Sequence, residues 1–466
     1  MTAPATTSPA SATSRGDLPT FRALLVTMFQ TAFSDNIYRF ILMMLVVMLA
    51  NTHAVRELGE EMAGTEEAQE LATQIGSHYQ AIISGLFILP FALAVGLAGW
   101  MSDRYSKTRV TRFTKLLEVG IMTLATLVFL LGPGFVGENY VWVAAGVLFL
   151  MGLQSALFSP SKYAILAELL PRNRIGWGNG YLQGFTFFAI VLGTVSGPAL
   201  FGWFEGSLWV TGLLLVGLAA AGYTASRHME LTPVANPEAE FRLNPVPLVK
   251  KYAKVILASR GLRWAVLGST IWWMIGIMFL NAVVQIALNV LDLTPAIAGV
   301  AILPVVIFQG VGSLIAGRLC RDGIRLWLVP LGAVCMCVLA IVVSLVTPLP
   351  KELVEMRDEL NGIPMLYVLG LPVLLGMVGF FMAFYIVPLD AYIIQTSDER
   401  YRGGIWATSN VLSSTAMVIG SFLLPFFASF RGHAADAFAG GGVLMLLAAA
   451  VLVWRFPALL SKEYPK

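Results

Sequence analysis

The chain has 466 residues, 57% of them apolar and 12% charged, with a mean hydropathy of +0.77. A soluble globular domain carries about 25% charged residues, so this composition describes a membrane protein. The net charge of +3 is too small to point to a nucleic-acid partner. Cys320, Cys335 and Cys337 are odd in number, and two of them sit inside an apolar run, which argues against a disulfide framework.

Residues 1–20 are rich in Ser, Thr, Ala and Pro and predict a short disordered tail. The apolar run that follows is too long for a signal-peptide core. A helix needs about 20 apolar residues to cross a hydrocarbon core of about 30 Å, and such runs recur along the chain. Twelve spans are predicted, at 21–50, 79–101, 114–133, 140–158, 179–204 and 208–226, then at 264–290, 295–317, 325–347, 365–387, 403–430 and 437–455. The division is a six-helix half over 21–226, a basic cytoplasmic linker over 227–263, a second six-helix half over 264–456 and a tail over 457–466. Alternate connections hold 25 of the 30 Lys and Arg and the others hold four, with Arg39 inside a span. The positive-inside rule then puts both termini in the cytoplasm.

The two halves echo each other. At an offset of 228, Pro160 meets Pro388, Ile165 meets Ile393, Arg172 meets Arg400, Arg174 meets Arg402 and Gly176 meets Gly404. The loop from Gly99 to Arg109 is answered by the one from Gly317 to Arg325. Both matches join equivalent sides of the membrane, so the halves are parallel repeats.

Gly99, Asp103, Arg104, Lys107 and Arg109 resemble the Gly-x-x-x-Asp-Arg…basic loop of the major facilitator superfamily. Gly99 permits close helix approach, while Asp103 and the basic residues can bond to neighbouring helix ends and lock the cytoplasmic face. A narrower likeness rests on Phe21–Phe40 with Asp35 and Asn36, on Leu157–Gly180 with Ser159, Pro160, Lys162, Tyr163, Ile165, Glu168 and Leu169, and on Ile386–Gln395. These stretches resemble the lysophospholipid transporter family. The resemblance implies an all-α protein of twelve transmembrane helices that moves lysophosphatidylethanolamine and lysophosphatidylglycerol from the outer to the inner leaflet of a bacterial inner membrane. Some relatives carry fused acyltransferase domains; here an acyltransferase is expected to be a separate partner. Gly193–Gly202 loosely resembles a Gly-Pro motif of drug/proton antiporters, and tight packing of small residues explains it equally well.

Charges within spans are costly and tend to be functional. Asp35 and Arg39 stand one helical turn apart. Arg39 is a candidate for the lipid phosphate, and Asp35 for an ammonium head or a proton; an internal ion pair that only fixes packing is the alternative. In this superfamily spans one, four, seven and ten line the cavity, which adds Gln154 and Ser155, then Asn281, Gln285 and Asn289 at i, i+4 and i+8, then Phe380, Phe381 and Tyr385. Glu118 is read with the cytoplasmic charges Arg104 or Arg112. Lys162 and Asp390 occupy equivalent repeat positions with opposite charge, so they either pair across the shut inner gate or stay as solvated loop charges worth well under about 1 kcal/mol. No Gly-Lys-Ser phosphate loop or metal motif is present, so neither an enzyme nor a cofactor is implied. A proton-coupled drug or small-molecule exporter with Asp35 as proton carrier is the first rival function. A scramblase-like or assembly role beside an acyltransferase is the second.

Overall fold

A computed structural model describes residues 18–62, 65–241, 245–289, 299–347, 365–430 and 433–457. Its twelve long apolar helices are Leu18–Leu58, Glu66–Leu93, Lys107–Val136, Tyr140–Ala164, Ile175–Trp203 and Leu208–Arg227, then Arg260–Asn289, Leu303–Leu319, Leu328–Val346, Met365–Thr396, Arg402–Ala428 and Asp436–Arg455. They are numbered here as spans one to twelve. Span two bends after Pro90 and continues as Val95–Arg104, which carries the chain out toward the basic loops. The predicted tail lies outside the described residues except for Leu18–Thr20, the first turn of span one. The end of the chain beyond Pro457 and residues 295–298 at the predicted start of span eight also lie outside them.

Two expectations change. The linker holds an amphipathic helix, Pro245–Ala258, that buries Tyr252 and Ile256 and exposes Lys250, Lys251 and Lys254. Spans four and ten run on past Pro160 and Pro388, so Lys162 and Asp390 sit in helices and not in loops. A proline that would end a helix in water is tolerated in a membrane, where neighbouring helices re-satisfy the freed carbonyl.

The halves meet on the face that carries the basic loops. There span eleven packs against the continuation of span two and against span four, while span five packs against spans eight and ten. Both seams depend on glycine. A Cβ on Gly99 would lie 3.1 Å from Gly404 Cα, and one on Gly176 would lie 2.6 Å from Cys320 Cβ. A Cβ on Gly180 would strike Gly317 and would lie 2.5 Å from the Ser313 carbonyl. Small residues let the backbones touch, which is how membrane helices gain packing without a hydrophobic driving force.

Polar bonds fasten the seams. Asp103 accepts from the backbone amides of Gly403 at 2.9 Å and Gly404 at 3.1 Å, and from the Tyr252 hydroxyl at 3.1 Å. Those amides open span eleven, so the carboxylate caps a helix N-terminus of the other half. Burial pushes the Asp103 carboxyl up to about 7, while Lys107 and the three donors pull it down. Asn179 donates to the Val387 carbonyl at 2.9 Å, and Asn410 donates to Ser159 Oγ at 2.9 Å. Val387 and Ser159 are 228 positions apart, the offset of the repeat, so the two bonds end at equivalent positions, although their donors, Asn179 and Asn410, are 231 apart. Gln183 donates to Asp390 at 3.0 Å, and Tyr163 stacks on Trp406 with centroids 4.4 Å apart. The basic face is shut.

Arg104 is half-buried and Arg109 exposed. The basic side chain that reaches a partner in this loop is the fully buried Lys107, which pairs with Glu168 within the same half.

The shut face buries Cys320, and burial raises its thiol to about 11, which keeps it unreactive. Asp103→Ala leaves two amides at the head of span eleven without an acceptor, a cost of about 1–3 kcal/mol. In a Cys335→Ser, Cys337→Ser background, maleimide labelling of Cys320 should accelerate about tenfold or more in this variant. An unchanged rate would show that Asp103 does not hold the gate. Gly180→Val should raise labelling in the same way by wedging the other seam, whereas Gly202→Val, where an added Cβ meets nothing within 4 Å, should not.

Candidate functional site

Span one has 41 residues, and Asp35 and Arg39 flank its midpoint. Asp35 is buried, and its Oδ2 accepts from Ser155 Oγ of span four at 2.8 Å. Among the described residues its Oδ1 has no partner, and neither does Arg39 Nε. The two side chains share a face but form no ion pair, because Ser155 draws the carboxylate toward span four. The internal-pair alternative therefore does not describe this state. Lys162, two turns further along span four, contributes a third charge that acts on Asp35, and its ammonium lies 4.9 Å from the centre of the Tyr163 ring. Tyr163 carries that contact into the other half through Trp406.

The site thus presents one anion and one cation whose hydrogen-bonding capacity the described residues leave partly unused, with a second cation, Lys162, over the Tyr163 ring. Such an arrangement can hold a group bearing both charges and cannot, by itself, perform covalent chemistry.

Behind Asp35 lies a polar cluster that the sequence did not reveal. Glu118 Oε1 accepts from Gln30 at 2.8 Å, and Oε2 accepts from Lys115 at 2.5 Å and Gln154 at 3.3 Å. Lys115 also donates to Thr31 Oγ1 at 3.0 Å and to Gln30. Lys115 and Glu118 are fully buried. The i, i+3 spacing of Lys115 and Glu118, and the i, i+4 spacing of Gln30 and Ser34 on the face that leads to Asp35, were the available signals.

Several expected site residues lie elsewhere. Glu118 joins this cluster and not Arg104 or Arg112, since Arg112 donates to the carbonyls of Ser226, Arg227 and Met229 at the end of span six. Gln154 faces the same cluster, donating also to the Thr114 carbonyl at 3.1 Å. Asn36 turns back to the Ala32 carbonyl at 2.7 Å, beside Gly193, where span five touches span one. Tyr385 is fully buried within the second half, against Gly268 and Gly332. Asn281 is half-buried and Gln285 exposed, while the Asn289 side chain lies outside the described residues. Lys162 and Asp390 do not pair although the face is shut. Asp390 is instead satisfied by Ser269 at 3.1 Å and by Gln183, both neutral donors reaching it from spans seven and five.

Residues 24–354 match the family model of the Major Facilitator Superfamily. The chain is 28% identical over 346 residues to a lysophospholipid transporter, LplT, of Enterobacter sp. strain 638, covering 73% of this chain and 77% of the relative. It is 26% identical over 389 residues to LplT of Citrobacter koseri, covering 81% and 86%. Its fold matches the crystal structure of the human organic anion transporter MFSD10 with a TM-score of 0.68 at 15% identity, covering 93% of this chain and 99% of that one. Twelve helices in two parallel sets of six, joined through glycine seams on the basic face, and a family match across most of the length lead to one conclusion: this chain belongs to the major facilitator superfamily, a transporter and not an enzyme.

Proposed function

We propose that this transporter carries lysophospholipids, with lysophosphatidylethanolamine and lysophosphatidylglycerol as substrates, from the outer to the inner leaflet of a bacterial inner membrane. The observation that carries this reading is the incomplete satisfaction of Asp35 and Arg39. Two opposite charges one turn apart, each with an idle hydrogen-bonding atom, suit a zwitterionic head: phosphate at Arg39, ammonium at Asp35. Lys162 supplies a second cation for a head that carries phosphate alone. The names of the relatives support the same class of substrate.

In this reading both termini and the basic loops are cytoplasmic, and the shut basic face belongs to the state that receives lipid from outside. Lipid binding at the midplane favours closure of the far side. The Asp103, Asn179, Asn410 and Gln183 bonds then give way and the head is released inward.

The test is reconstitution into liposomes with labelled lysophosphatidylethanolamine in one leaflet. Arg39→Ala should slow transbilayer movement about 10- to 100-fold, from the loss of charge-assisted bonds worth about 1.5–3 kcal/mol. Asp35→Asn should slow the ethanolamine lipid more than the glycerol lipid, because only the former brings an ammonium. If wild-type protein moves lipid no faster than protein-free vesicles do, the proposal fails. Drug efflux driven by an imposed proton gradient under those conditions would install the exporter reading in its place.

A further inference from the structure

A cavity away from the Asp35 site lies toward the Arg56 end of span one in the first half. It has a volume of about 760 Å³ and is lined by spans one, three, four, five and six together with the turns between them. Its walls include Leu45, Leu49, Phe129, Val141 and Phe201, and its mouth carries Thr52, His53 and Arg56 of span one and Glu205 of the turn after span five. Spans three and six, which form its outer side, pack on each other and on spans one and four.

A break in span three borders the cavity. Gly132 takes φ +60°, a conformation open to glycine, and Pro133 has no N–H to continue the ladder. A Cβ added at Gly132 would meet nothing within 4 Å, so the positive φ and not a lack of room is what calls for glycine here.

Dimensions and charge define what fits. From Leu45 to Arg56 is eleven residues, about 16 Å along a helix, which is close to half of the roughly 30 Å hydrocarbon core. The cavity is therefore one leaflet deep, with apolar walls in the hydrocarbon and polar groups at the interface. Its volume holds about 25 groups of water size, enough for one acyl chain with its head and too little for two chains. The mouth offers both a cation and an anion, as a zwitterionic head requires.

We propose that this cavity is a second lipid site, which holds a single-chain zwitterionic phospholipid of the leaflet opposite the basic face. The chain lies along Leu45 and Phe129, the phosphate faces Arg56 and the ammonium faces Glu205. The identity of this lipid as transport substrate rests on the reading of the Asp35 site above. The floor at Leu45 is six residues, about 9 Å along span one, from Arg39, so a lipid held here waits in the same half and leaflet from which the central site loads.

The test uses the full-length protein in phosphatidylethanolamine vesicles with lysophosphatidylethanolamine carrying a photoreactive diazirine at the chain end. Adducts should map to Phe129, Leu130 or Val141, should disappear with excess unlabelled lysophosphatidylethanolamine, and should survive the same excess of the diacyl lipid. Gly206→Trp, which places a ring where an added Cβ meets open space, and Arg56→Gln should each lower labelling about fivefold, the equivalent of about 1 kcal/mol. Adducts spread evenly over exposed side chains of span three such as Leu116 and Leu127, or equal competition by diacyl lipid, would reduce the cavity to an ordinary lipid groove and overturn the site. Labelling that persists in a protein that fails the liposome assay would leave this site standing and remove transport. Transport with the cavity unlabelled would do the reverse.

Discussion

The fold depends on a backbone contact between two halves of a chain that have no hydrophobic reason to associate. Lipid tails are as apolar as the helices they surround, so the halves hold together through close approach and hydrogen bonds. Gly99 against Gly404 and Gly180 against Gly317 bring the backbones near enough for this. Asp103 then uses that proximity to cap the first amides of span eleven. Without the glycines the carboxylate would not reach. Without the carboxylate the helix end would be buried with its amides unpaired.

The repeat makes the shut face nearly symmetric, and the departures from symmetry show which contacts can move. Asn179 reaches Val387 and Asn410 reaches Ser159, acceptors 228 positions apart, so each seam receives one asparagine at an equivalent position. Asp103 has no such mate: the seam that Gly176 and Gly180 build against span eight carries Cys320 instead of a capping carboxylate. One seam is therefore fastened further by a carboxylate on two backbone amides, the other by the single bond from Gln183 to Asp390. Tyr252 brings the linker helix onto that same seam, its ring lying over Gly404, so the connection between the halves also braces the contact between them.

The twelve spans, the parallel repeat and the Gly99–Asp103 seam were legible in the sequence because hydropathy, glycine spacing and an offset each leave a one-dimensional trace. The limits of spans four and ten were not, since Pro160 and Pro388 look like breakers until the membrane is counted as solvent. Asp35 and Arg39 stood out because a charge in an apolar run is conspicuous. What each side chain faces did not, because direction around a helix is fixed by neighbours far away in sequence. Gln154 and Ser155 are adjacent, yet one reaches Glu118 and the other Asp35. Lys162 and Asp390 share a repeat position, and uncharged donors from spans seven and five took up the charge that a pairing rule would have assigned to lysine.

The cluster behind Asp35 bears on how such a protein moves. Lys115 and Glu118 are a fully buried ion pair, and losing one partner of such a pair typically costs about 3–5 kcal/mol, because the other is left charged in a poor solvent. Gln30, Thr31 and Gln154 complete its bonds from spans one and four, so any slide among spans one, three and four would expose that cost. Ser155 extends the same scaffold to Asp35. The first half is thereby held as one body, and its carboxylate is bonded within it. Asp390 is arranged differently, with Ser269 from its own half and Gln183 from the other, so its bonding changes whenever the face opens. The bonds that must give way when the face opens are the cross-half ones at the seam: single bonds from Asn179, Asn410 and Gln183, and the Asp103 cap on Gly403 and Gly404. The halves must therefore turn against each other as units, with Asp35 carried by one of them and Asp390 losing a bond as they part.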